Sequence, residues 1–420
     1  MNIQFLIHFV LEYKIEFLLT ICLFSNLYSL QIPGSLYYVA IIAMPIFMYR
    51  FHARATHRTR LSFLLMTTVI LSSIISGHAG MRMVFMSYIL FITLAYSSEE
   101  FYHFKFRFMY ISLIAYAFTS IINIYAKYAG VNIYNGVMVS MWGASTIEFS
   151  GYTCHPMWLS AACGIGTIFF LYAMIVVFKR GRKKATLLFL AATFGSLWIT
   201  MQGGSRSASG ISVICCLFLI LNAFESATQK KKLLLPIIFV GLLTLPSMVT
   251  DNAQFARKQG GIALVDENGE NSRSRLWAAR LAEFYSSPIL GVGFGVIGIG
   301  DAAAEGRAET GSGWLTALAQ TGIIGFVLVC MLVYKARLPK YVLKTDSTAA
   351  LMEAVMLFLC LHSLFEAYMF QAGWYMCFVF WLLVSVLDDY KTYGPIPELE
   401  DSLFGEREIE EDEDDDEENI

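Results

Sequence analysis

Apolar blocks about 16–22 residues long recur from one end of this 420-residue chain to the other. A helix of about 20 residues spans roughly 30 Å, the thickness of the hydrocarbon core of a bilayer. A chain built mainly of such blocks has more apolar helix than one soluble core can cover. Hydrophobic residues make up 57% of the sequence and charged residues only 15%, against roughly 25% charged in an ordinary soluble domain. A soluble enzyme, a secreted disulfide scaffold and a nucleic-acid binder are thereby excluded. The expected fold is all-α: a polytopic integral membrane protein of about twelve transmembrane helices with one long outward loop containing short helices. The spans are expected near 15–31, 35–49, 61–77, 83–97, 108–127, 157–178, 185–202, 208–224, 233–250, 314–334, 350–369 and 373–388. Residues 1–14 read as a short amphipathic lead-in.

Charge orients these spans. Of the 30 Lys and Arg, 21 fall in alternate connections and in the two terminal segments, among them Arg50, Arg54, Arg58, Arg60, Lys179 to Lys184 and Lys230 to Lys232. Positive loops stay cytoplasmic, so both termini are expected inside and the loop over 251–313 outside. The organisation expected is a membrane domain over 1–400, that outward loop within it, and a disordered acidic cytoplasmic tail over 401–420. The tail holds an unbroken acidic run from Glu410 to Glu418, and such a run repels itself. Seven of the eight cysteines lie inside apolar runs, and none shows a metal-ligand spacing, so they read as small core hydrophobes. Glu12, Lys14 and Glu16 interrupt the first apolar run and no small-residue cleavage site follows, so insertion is expected to rely on the helices themselves.

Polar residues at membrane depth or on the outer side are candidates for function. Gln202-Gly203-Gly204-Ser205-Arg206-Ser207-Ala208-Ser209-Gly210 forms a short outward turn rich in backbone and hydroxyl donors. Arg206 adds a permanent planar fork of N–H donors, the chemistry that a lipid-linked pyrophosphate requires. The competing reading of Arg206 is an interfacial anchor for a helix end. In the long loop, Ser272 reads as the N-cap of a helix that puts Arg273, Trp277 and Arg280 on one face, with Arg275 beside them. Two cations flanking an indole suit a phosphate and a sugar ring, although a helix lying on the membrane would look the same. That helix stops at Ser286-Ser287-Pro288, and a Gly-rich turn, Ile289 to Gly295, follows without the Lys-Ser/Thr of a nucleotide loop. Glu309, near the end of the loop, is a candidate general base if its surroundings shift its pKa. His155-Pro156 opens another span. His362 and Glu366 are spaced to share a helix face, and His78 and Arg82 flank a further outward turn.

Taken in order, these features resemble the bacterial O-antigen ligase and O-antigen or exopolysaccharide polymerase superfamily. The likeness rests on the twelve-span layout, the Ser205-Arg206 turn after a span and the long late loop. It rests also on Arg273 with Trp277 four residues on, on Pro288-Ile289-Leu290-Gly291-Val292-Gly293, and on Gly322-Ile323-Ile324-Gly325. It covers most of the chain, but its motifs occupy only about 200–325.

The resemblance implies an inverting, metal-independent glycosyltransferase on the outer face of the bacterial inner membrane, using glycans carried on undecaprenyl pyrophosphate. Ligases of the family carry a His-containing pair eleven residues before the closing Gly; here that place holds Gly311-Ser312. The departure favours a polymerase and leaves Glu309 and His155 as candidate catalytic residues. Arg206, Arg273, Arg275 and Arg280, with Ser205 and Trp277, are the expected pyrophosphate and glycan contacts. No cofactor, metal or nucleic-acid partner is implied. Membrane lipids and a chain-length regulator are the further partners. The alternatives are a ligase-type transferase, a lipid-linked oligosaccharide flippase or transporter, and a membrane scaffold without catalysis.

Overall fold

The computed structural model describes residues 9–77, 80–134, 137–139, 145–147, 149–224, 226–228, 230–232, 234–235, 237–238, 241, 272–295 and 311–405. In chain order the helices are α1 (Lys14–Phe24), α2 (Leu36–Arg50), α3 (Thr59–Ile75) and α4 (Met81–Leu90), the last prolonged by a π-helical turn, Phe91–Ala95. Then come α5 (Glu99–Tyr128), α6 (Pro156–Lys179), α7 (Lys183–Gln202), α8 (Arg206–Ala223) and α9 (Ser272–Ser286). The last are α10 (Gly313–Ala336), α11 (Lys340–Thr345), α12 (Ser347–His362), α13 (Tyr375–Tyr393) and α14 (Pro397–Phe404). Two small antiparallel ladders accompany them: Arg54–Ala55 with Tyr96–Ser97, and Val137–Val139 with Ser145–Ile147.

Five of these helices, α5, α6, α7, α8 and α10, are long and apolar enough to cross a membrane; α2, α3, α12 and α4 with its π turn are shorter but apolar. Local sequence sets their limits. Ser98 accepts the Phe101 N–H at the start of α5, Glu99 and Glu100 occupy its first turn, and Lys127 its last, the charge order that suits a helix dipole. Pro156 fills the first position of α6, where no N–H is needed.

The interior is built around α6 and α13. Almost the whole apolar length of α6 is enclosed by α5, α7, α8 and α12. Every residue of α13 from Tyr375 to Tyr390 is buried. The outer helices do the reverse: Ile42, Ile46, Leu187, Leu188, Ile214 and Leu221 are exposed. A perimeter of that kind belongs in lipid, where helices keep their backbone bonds internal.

Two helices end earlier than the expected spans. α1 stops at Phe24, and tight turns follow to Gln31. α12 stops at His362, so Glu366 does not share a helix face with it. The carbonyls of Ser363 and Glu366 are both taken by the Gly313 N–H, at 2.7 and 3.1 Å, which draws this stretch towards the start of α10 instead of prolonging the helix. The expected span 233–250 lies largely outside the described residues.

At the end of the bundle carrying Arg58, Lys105 and Lys179, called here the basic end, a closed ionic knot joins four elements. Arg58 Nη1 donates to Asp388 Oδ2 and Asp389 Oδ1, each at 2.8 Å, and its Nε donates to the Leu94 carbonyl. Lys105 Nζ reaches Asp389 Oδ2 at 2.5 Å and Ser385 Oγ at 2.8 Å. Ser97 Oγ donates to Asp389 Oδ2 at 2.6 Å. All six side chains are buried; His57, mostly exposed, reaches Asp388 from the rim.

The acidic tail expected from residue 401 begins later, because Asp401–Phe404 complete α14. Arg180 Nη2 binds Glu400 at 3.1 Å and Asp401 at 2.8 Å, Arg182 Nη1 donates to the Phe404 carbonyl, and the Phe404 ring packs on Tyr172 and Phe189. Two arginines of the α6–α7 turn thus hold as helix what its acidic composition alone would leave in solvent. The run from 406 onward lies outside the described residues.

Candidate functional site

The polar motifs gather at the end opposite the ionic knot, where α6, α8, α10 and α13 begin and α12 ends. Its central feature is a break in α10. Gly322 has φ 63° and ψ −169°, a backbone region open essentially to glycine. Across a break of this kind the N–H groups of Ile323 and Ile324 lose the carbonyls of Ala319 and Gln320. They bond instead to the carbonyls of Pro288 and Ile289, at 2.9 and 3.4 Å. The freed carbonyls are filled from the same segment, Val292 N–H to Ala319 O at 2.9 Å and Gly293 N–H to Gln320 O at 3.2 Å. The two strings singled out in sequence, 288–293 and 322–325, therefore interlock backbone to backbone. The fit leaves no room for side chains: a Cβ on Gly322 would lie 2.3 Å from Ile289 O, and one on Gly291 2.4 Å from the Gln320 carbonyl carbon. Beyond the crossing, Phe294 N–H donates to Ser73 Oγ of α3 at 2.9 Å, and Gly295 lies against the Arg82 stem.

Helix α9 leads into this crossing and packs on α10. It runs from the expected start to the expected stop before Pro288. Trp277 Nε1 donates to the Gly311 carbonyl at 3.0 Å, and its ring meets Phe365, beyond the end of α12, at 6.4 Å. The indole is thus a strut joining α9 to both neighbours. Arg280 is buried, and its Nη2 holds Glu283 Oε1 at 2.5 Å, while its Nη1 finds no hydrogen-bond partner among the described residues. Burial, partly offset by Glu283, lowers the pKa of this guanidinium. Arg280 is therefore an enclosed half of an ion pair. Only the backbone of Arg273 and Arg275 is described, and Glu309 and His78 lie outside the described residues.

The Ser205-Arg206 turn lies on the opposite flank. Gly203 is pressed so close to α6 that a Cβ there would stand 2.7 Å from the Pro156 carbonyl. Ser205 Oγ caps α8 by accepting the Ala208 N–H at 3.2 Å and also meets Ser207 Oγ at 3.1 Å. Arg206, the first residue of α8, is exposed. The turn and His155 are thereby neighbours through Gly203 and Pro156. The structure brings Trp277 together with the start of α10, and Ser205 together with the start of α6. Arg206 and Arg280 occupy the same end on helices with different partners: α8 packs on α6 and α12, α9 on α10.

His155 has a defined duty. Its Nδ1 accepts the Met157 N–H at 3.2 Å and so caps α6. In the neutral ring the proton then resides on Nε2, which makes that nitrogen a donor and not a base. Losing this cap costs about 0.5–2 kcal/mol. His155→Asn, which can still cap, should hold the melting temperature of the protein in detergent close to wild type, whereas His155→Ala should lower it. Equal losses in both variants would show that the cap contributes nothing.

Composition alone did not bring out three residues that belong to this end. Glu283 follows Arg280 at i+3, a spacing that announces a pair on one helix face. Trp158 and Trp374 stack on each other with centroids 4.7 Å apart, and their only sequence signal was proximity to span ends. A cavity of about 720 Å³ opens instead at the basic end, near Asp346, Tyr390 and Glu400. Its carboxylates serve the fold: Asp346 takes the Tyr390 hydroxyl and caps α12, and Glu400 binds Arg180.

No protein-family model matches the chain, and no curated protein sequence matches it.

Proposed function

We propose that the chain is a membrane glycosyltransferase that polymerises oligosaccharide repeat units carried on undecaprenyl pyrophosphate, for an O-antigen, capsule or exopolysaccharide. The observation that carries this reading is the interlock of Pro288–Gly293 with the break at Gly322, directly after the Arg-rich helix α9. The motifs that resemble the polymerase branch of the O-antigen superfamily are separate in sequence and meet in space. A twelve-span layout fits the direction of the chain. α8 finishes at the basic end and α10 begins at the opposite one, so one further crossing belongs between them, where the span 233–250 is expected. In this layout the basic end is cytoplasmic, both termini are inside, and the site faces outward from the inner membrane.

In the proposed reaction two lipid-linked glycans meet at the outer surface. Arg206, Arg273 and Arg275 hold the donor pyrophosphate and offset the charge that builds up as it leaves. Arg280 orients Glu283 and stiffens α9. A carboxylate, Glu309, takes the proton of an acceptor hydroxyl, which attacks the anomeric carbon. Positioning by the rigid crossing supplies much of the remaining acceleration. Ser205 contributes by fixing the first turn of α8, and with it Arg206. A chain-length regulator is the natural partner.

Removing one preorganised donor to a charge that develops in the transition state costs about 10²–10³ in rate. Arg206→Ala and Arg273→Ala, reconstituted with lipid-linked repeat units, should therefore insert normally and yield almost only single units on a gel. Long chains from both variants would discard the reading. The broken helix α10 favours one other reading, a lipid-linked oligosaccharide flippase, since transporters place interrupted helices at their binding sites. The same reconstitution decides between them, by scoring chain growth against translocation of a labelled lipid.

A further inference from the structure

The end of the bundle that bears Arg206 also bears a run of aromatic rings. Trp158, in the first turn of α6, stacks on Trp374, which precedes α13, at 4.7 Å and 22° between planes. On one side Trp374 meets Tyr368 at 5.5 Å, and Tyr368 meets His362 at 5.9 Å. On the other side Trp158 meets His155 at 6.4 Å, and His155 meets Tyr134 at 5.1 Å. Trp374, Tyr368 and His362 are buried, whereas Trp158, His155 and Tyr134 are partly open. The run is therefore backed by the core and open along one edge.

We propose that this wall is a sugar-binding subsite, which takes the terminal pyranose of the acceptor glycan against Trp158. The inference rests on the glycosyltransferase reading above and assigns its acceptor side. A pyranose presents a face of C–H groups and a rim of hydroxyls. An indole suits the face, and nearby polar atoms must serve the rim. Trp374 Nε1 is such an atom, a buried donor with no acceptor among the described residues, which is uncommon in a finished interior.

The ordinary explanation of tryptophan near a helix end is an interfacial belt facing lipid. It does not fit Trp158. Its helix, α6, is the most enclosed of the long apolar helices, and Trp158 itself is packed against the core with only part of its ring open. The wall also suits a neutral sugar better than a pyrophosphate. Its six members are aromatic or imidazole rings, whereas Arg206 and the arginines of α9 lie on other helices.

The test uses the full-length protein in lipid nanodiscs. Intrinsic tryptophan fluorescence is titrated with the methyl glycosides of glucose, galactose, mannose and rhamnose. At least one should give a saturable change, and saturation-transfer NMR on that glycoside should show magnetisation reaching its ring C–H protons. Trp158→Leu keeps apolar bulk and removes the ring face; it should weaken binding about tenfold. Trp158→Tyr keeps a ring and should stay within about threefold. Arg206→Ala should bind the glycoside as wild type does while failing to elongate chains. No saturable response and no transfer from any of the four glycosides would overturn the subsite, and so would equal binding by the Leu and Tyr variants. The NMR measurement needs no variant, so it decides even where Trp158→Leu does not fold. Glycoside binding through Trp158 without chain growth in the wild-type protein keeps the subsite and sinks the polymerase. Chain growth with binding indifferent to Trp158 does the opposite.

Discussion

Asp389→Ala is expected to cost about 3–5 kcal/mol of stability, the usual penalty for removing one partner of a buried ion pair. Asp389 accepts from Arg58, Lys105 and Ser97, all buried. Without it, two enclosed cations share the single carboxylate of Asp388. A net stability is only about 5–15 kcal/mol, so most of the margin goes. The check is a thermal melt followed by size exclusion in detergent: Asp389→Ala should melt well below wild type and lose its monodisperse peak. The contrast comes from removing the whole knot. Arg58→Met, Lys105→Met, Asp388→Leu and Asp389→Leu combined should recover much of the loss, because a packed apolar cluster often equals a buried ionic one. A single Asp389→Ala variant that melts with wild type would show the knot to be dispensable.

The second large effect is on activity. Gly322→Ala places a methyl group 2.3 Å from the Ile289 carbonyl oxygen, at a backbone angle that alanine rarely adopts. Backbone strain alone costs about 1–3 kcal/mol, and relief requires the Pro288–Gly293 segment to move away. That movement exposes four backbone groups of α10 and misplaces α9, whose C-terminus feeds the crossing. Misplacement of about 1 Å can cost about 10²-fold in rate. Chain growth in reconstituted membranes should therefore fall by at least that factor, while circular dichroism keeps its helical signal. Amide hydrogen exchange reports the cause: the Val292 and Gly293 N–H groups should exchange much faster in Gly322→Ala. Unchanged protection at both amides would mean that the crossing tolerates a side chain there.

Much of this architecture was legible in the chain. The apolar runs behind α6, α7, α8 and α10 are uninterrupted, so their positions followed within a few residues. α5 instead begins at Glu99 and not near 108, because Ser98 caps a charged first half that apolar content alone does not mark. The limits of α9 were legible as well, since Pro288 follows it closely. What escaped was decided by contacts distant in sequence. α12 stops at His362 because the Gly313 N–H competes for the next carbonyls. α14 forms because Arg180 and Arg182 wait for it. The Arg280–Glu283 pair escaped because Glu283, three residues on, was not weighed beside Arg280. The two glycine strings were noticed, but nothing local announces that one hydrogen-bonds the other. Stacked tryptophans are equally silent, since a lipid-facing chain is rich in aromatic residues throughout.

The crossing at Gly322 also orders the birth of the protein. Pro288–Gly293 leaves the ribosome before the Ala319–Ile324 stretch that satisfies it, and translation adds only about 5–20 residues per second. For that interval the earlier strand has no partner and must wait at the membrane surface, where water can serve its amides. It can seat only once the following helix has been delivered, already interrupted, into the bilayer. Assembly of the proposed catalytic end is thus a late event, and a chain truncated before residue 325 would be inserted yet unfinished.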